Sequence, residues 1–141
     1  MSAIIPVVVF EFAKARSDFI DAHNMAELSV RQRLERHGKP TNHLLGKNIE
    51  ALSKVPANPQ YAKKDKMRVD ALLDELRHLH SIRCDVVHSR MQTLSVDGLT
   101  HGFFFNVQKT LKYGRTGTLL SLSQMNECTE HLIRIAKDLE A

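Results

Sequence analysis

The chain has 141 residues, 43% hydrophobic and 26% charged, which suits one folded domain and excludes both a disordered chain and two independent domains. Twenty Lys+Arg against sixteen Asp+Glu give a net charge of +4, which permits a polyanionic partner without demanding one. No apolar run approaches the ~18 residues of a membrane-crossing helix, so no membrane partner is expected.

The longest apolar run, Ile4 to Phe10, holds Pro6, has no basic residue ahead of it and is followed by Glu11, which argues against a signal peptide. Two cysteines, Cys84 and Cys128, do not make a disulfide framework, so a cytoplasmic protein with reduced thiols is expected. Pro6 suits the first turn of a helix. Phe12, Ala15, Phe19, Ala22, Ala26 and Val30 then recur at three- and four-residue steps, as one helix face does. His23-Asn24 is a place where this helix could break or bend, Val7-Val8-Val9 could instead be a strand, and Gly38-Lys39-Pro40 ends the element. A short helix over Asn42 to Lys54 and a loop through Pro56 and Pro59 follow. Residues 60 to 91 hold no Gly or Pro and make the strongest helix, with Leu72, Leu76, Leu79 and Val86 on one stripe.

Beyond Met91 the period shortens toward two. Gln92 to Val96, Asp97-Gly98 and Leu99 to Gln108 read as a β-hairpin. Tyr113 to Gly117 reads as a second turn, and Leu119 to Leu122 as a third short strand. A final helix over Gln124 to Leu139, capped by Ser121 or Ser123, carries Met125, Cys128, Leu132, Ile135 and Leu139 on one face. The expected fold is mainly α: a bundle of about four helices with a small antiparallel hairpin inserted before the last.

One residue breaks the pattern. With Leu72 as the zero direction and about 100° per residue, Arg83 falls at roughly 20°, in the middle of the apolar stripe. An arginine there needs a partner, such as Asp18, Asp21 or Glu127, or an interface. His88 stands five positions later, about 140° around the helix from Arg83. One helix cannot aim both side chains at one point, whereas two copies facing across a two-fold axis bring both pairs into one cleft.

Ile82-Arg83-Cys84-Asp85-Val86-Val87-His88 resembles the R-x4-H motif of HEPN domains, commonly Arg-Asn-x-x-x-His. The resemblance extends over residues 60 to 141: a long helix ending in the motif, a glycine-bearing hairpin, then a Ser-capped amphipathic helix. It implies a single HEPN-like helical domain over 1–141 that forms a homodimer through the motif helices. It also implies a metal-independent endoribonuclease without a cofactor, acting on RNA as a toxin or antiviral defence protein, with an antitoxin or other protein partner. Arg83 and His88 would be the catalytic pair: His88 in proton transfer at the ribose 2′-OH or the leaving 5′-oxygen, Arg83 on the scissile phosphate. Cys84 and Asp85 would support them, and Arg90, Lys63, Lys64 and Lys66 would contact RNA. The sequence departs from the family at Cys84, where Asn, Asp or His is usual. It departs again at Arg90, where the toxins paired with nucleotidyltransferase antitoxins carry Tyr. The other function open to such a domain is a catalytically inactive dimerisation or binding module.

Two further patterns compete. His80, Cys84 and His88, with Cys128 and His131, have spacings that could hold zinc if the last two long helices pack together. Phe103, Phe104 and Phe105 could stack on bases, although strand alternation favours packing against the bundle. A second basic cluster, Arg31, Arg33, Arg36, His37 and Lys39, is a solvated face unless it flanks the motif.

Overall fold

In a computed structural model, residues 7–106 and 117–141 are described. Four helices and three strands follow in the order α1 (Val7–Arg36), α2 (Leu45–Ser53), α3 (Lys63–Val87), β1 (Ser89–Val96), β2 (Leu99–Asn106), β3 (Gly117–Ser121) and α4 (Leu122–Glu140). The protein is mainly helical, with a hairpin before the last helix, as the periodicity predicts.

Helix α1 is continuous. His23-Asn24 does not break it, and Val7 to Val9 are helical, not a strand. The predicted stripe Phe12, Ala15, Phe19, Ala22, Ala26 and Val30 is buried, and α1 makes its most extensive helix contact with α4. The helix stops at the predicted place. Gly38 takes φ +67°, its N–H donates to Glu35 O, and the Lys39 N–H donates to Leu34 O, which closes a Schellman motif.

Helix α2 is shorter than expected. Asn42 makes a turn instead of opening a helix: its side chain accepts from the Leu44 N–H, and the Asn48 amide side chain holds the Asn42 backbone from both sides.

Helix α3 also ends early, at Val87 and not near Met91. His88 leaves the helix at φ −95°, ψ 19°, and Arg90 and Met91 pair with Phe105 and Phe104 of β2. The strand ladder therefore takes the backbone groups that a longer helix would have used. The sheet is antiparallel in the order β1-β2-β3, one strand wider than the hairpin. Asp97 (φ 51°) and Gly98 (φ 77°) make the two-residue turn with positive φ that matches strand twist. Phe104 is fully buried against the bundle, while Phe103 and Phe105 lie on the other face with their rings 6.3 Å apart. Val107 and Gln108 of the predicted hairpin and Tyr113 to Thr116 of the predicted second turn lie outside the described residues, and Gly117 opens β3. Ser121, not Ser123, caps α4 through a reciprocal box with Gln124.

Candidate functional site

The last turns of α3 are held on two sides. From α1, a terminal nitrogen of Arg16 donates to the carbonyls of Val87 (3.3 Å) and Ser89 (3.5 Å), which straddle His88. A cation at these C-terminal carbonyls also opposes the negative end of the helix dipole. From below, Ser89 Oγ donates back to Val86 O at 2.8 Å. These bonds set the chain direction on both sides of His88, which is half-buried and has no side-chain hydrogen bond among the described residues.

Arg83 is half-buried one turn earlier. It pairs with none of Asp18, Asp21 and Glu127, and among the described residues it makes no ion pair or hydrogen bond. Its Nε is buried without a partner. A guanidinium in this setting has lost part of its water and gained no counter-charge.

Beside it stands a pair that sequence reasoning missed. His23, from the middle of α1, is 0% exposed. Its Nε2 lies 3.1 Å from Nδ1 of His80, three residues before Arg83 on α3, and the two rings are within 22° of parallel with centroids 5.2 Å apart. Burial, reinforced by Arg83 and His80, pulls the His23 imidazole from 6.5 down to about 3. Burial and Arg83 also lower His80, with Glu27 opposing. Both rings are therefore neutral at pH 7. His23 was legible in one respect: it stands four residues after Phe19 and three before Ala26, on the buried stripe.

Asp85 turns away from Arg83. It is 1% exposed and its carboxylate accepts from Thr118 Oγ1 of β3 at 2.6 Å, which ties α3 to the sheet. Cys84 is half-buried. Arg90 is exposed on β1. Lys63, Lys64 and Lys66 sit at the opposite end of α3 from His88, which at 1.5 Å per residue is more than ~30 Å away. Of these, Lys66 is engaged by Ser53 O and Asp70.

The other basic cluster is partly internal. Arg33, 5% exposed, donates to Leu139 O at 2.8 Å and Ala141 O at 2.9 Å and pairs with Asp65 at 2.9 Å, clamping α1 to the end of α4. The residues of the zinc pattern do not converge: His80 pairs with His23, and His131 pairs with Glu75 at 3.0 Å. Among the described residues no three His, Cys, Asp or Glu side chains are grouped to hold a metal ion. Nor is any helix among them long and apolar enough to cross a membrane.

No protein-family model matches the chain, and no curated protein or solved structure matches it.

Proposed function

We propose that this chain is a HEPN-like RNA-cleaving domain whose Arg83 and His88 act together across a homodimer, in a toxin or antiviral defence role. The observation that carries the reading is the unpaired guanidinium of Arg83 near the end of α3, five residues before a histidine whose side chain is also unengaged among the described residues. A half-buried cation without a carboxylate is suited to an incoming anion, and a phosphodiester supplies one. His88 then moves a proton at the 2′-oxygen or the leaving 5′-oxygen, and Arg83 neutralises charge growing on the phosphate. Helix spacing would put the two side chains about 140° apart, which favours assembly from two copies.

The second reading, a domain that dimerises or binds a partner without cleaving, is favoured by one observation. The position after Arg83 is a thiol, and the neighbouring carboxylate of Asp85 is spent on Thr118 inside the fold. The motif then lacks a polar orienting group.

Single-stranded RNA incubated in EDTA with wild type and His88→Ala separates the two. Cleavage by the wild type, lost in a folded His88→Ala, supports the nuclease. Equal background in both, with a dimer seen by sedimentation, overturns it and leaves the binding module.

A further inference from the structure

The geometry points to an anion clamp formed by the Nε2–H of His80 and the guanidinium of Arg83, with His23 as the buried positioning residue that fixes the His80 tautomer. The clamp deepens the RNA reading above, on which the choice of a phosphodiester as its ligand rests.

The argument begins with one proton. His23 Nε2 and His80 Nδ1 face each other at 3.1 Å, so only one of them carries the hydrogen. If His80 donated from Nδ1, both rings would hold the Nδ1–H form, the less stable tautomer of neutral imidazole. His23 would then also bury an Nδ1–H, and that atom has no partner. If His23 donates from Nε2, both rings hold the preferred Nε2–H form, and the orphan at His23 is a lone pair. Orphaned buried N–H groups are the rarer defect. Both considerations select the second arrangement, and the lowered proton affinity of both rings keeps it intact at neutral pH.

The consequence falls on the outer side of His80, where Nε2 becomes a fixed donor. Among the described residues His80 Nε2 and the terminal nitrogens of Arg83 hold no protein partner, and both side chains are only half-buried. His80 and Arg83 are three residues apart on α3, adjacent on its surface. Around the helix His80 lies about 60° from Arg83, on the side toward His88. A fixed neutral donor beside a guanidinium that makes no ion pair among the described residues suits one tetrahedral phosphate, the planar fork taking two oxygens and the imidazole a third, with Glu27 of α1 the acid felt at His80.

The test uses the 15N-labelled full chain. Long-range 1H–15N correlation at pH 7 should show His80 as Nε2–H in the wild type and tautomer-averaged in His23→Phe. A 2′-O-methylated oligoribonucleotide, which cannot be cleaved through its 2′-oxygen, should shift the His80 Nε2 resonance. It should bind about tenfold or more weakly to His80→Ala and to Arg83→Gln, the size expected for a hydrogen bond to a charged group. An Nδ1–H tautomer at His80, or unchanged affinity in both variants, overturns the clamp. If His23→Phe does not fold, His80→Gln, which keeps an N–H donor, should bind more tightly than His80→Ala, and equal affinities refute the donor role. Cleavage that depends on His88 and Arg83 but not on His80 sinks the clamp and spares the nuclease. A His80 shift with inorganic phosphate that needs Arg83, in a protein that ignores the oligoribonucleotide, sinks the RNA reading and spares the clamp.

Discussion

Lowering the pH from 7 to 5 should destabilise this protein through His23. The folded imidazole sits at about 3 and the unfolded one at 6.5, so the folded state refuses a proton that the unfolded chain accepts. The sign follows from linkage: the penalty is absent above 6.5, grows as pH falls below it, and saturates near 3. At pH 5 the unfolded chain is one and a half pH units below its pKa, which at 1.36 kcal/mol per unit costs about 2 kcal/mol. The groups that act on His23 are Arg83 and His80 from α3, and those that act on His80 are Arg83 and Glu27. Two other histidines move the same way: His80, and His37 under burial, Arg33 and Arg36. The lowered carboxylates Glu50 and Asp65 contribute only nearer their ordinary 4.5 and 3.8. A difference measurement isolates His23. Urea unfolding of wild type and His23→Gln at pH 7, 6 and 5, followed by circular dichroism, should show the wild type losing about 2 kcal/mol more than the variant. Glutamine does not titrate and keeps an N–H to offer His80 Nδ1. Parallel pH profiles would refute the reasoning, because they would mean that His23 takes up its proton in the folded state as readily as in the unfolded one.

Two further substitutions test the frame around the site. A Cβ at Gly117 would collide with the Phe104 carbonyl oxygen, and backbone must move to admit it; Gly117→Ala should therefore cost about 1–3 kcal/mol in urea unfolding and separate Thr118 from Asp85, and a cost below ~0.5 kcal/mol would place β3 elsewhere. Ser121→Ala removes the hydroxyl that accepts from the Gln124 N–H and should lower stability by about 1 kcal/mol, which Ser121→Asp should largely restore; no loss in the alanine variant would mean that the Gln124 side chain, accepting from the residue 121 N–H, suffices as the cap.

What was legible in the sequence was whatever one element decides by itself. The stripe of α1, the Gly38 stop, the Asp97-Gly98 turn and the Ser-capped last helix all follow from spacing and turn chemistry. The C-terminus of α3 did not, because nothing local forbids helix over residues 88 to 91; strand pairing with Phe104 and Phe105, more than ten residues further on, ends it. Asp85 shows the same limit from the other direction. It lies about 140° from the Leu72 stripe, on what periodicity reads as a polar face, and it is buried because β2 and β3 cover that side. Arg83 stood out because its own helix makes it anomalous, whereas its two histidine neighbours could not be joined on paper: His23 and His80 are fifty-seven residues apart.

This double covering also explains why the motif sits at a helix end. In the middle of α3 only one side meets other elements, and the opposite side is solvent. In its last turns α1 covers the side of His80 and Arg83, and the sheet covers the side of Asp85. The backbone at His88 is then gripped from both directions, while Arg83 and His80 stay half-buried beside it. Arg83 is thereby left half-buried without an internal counter-ion, which is the condition that the proposed anion binding requires of it.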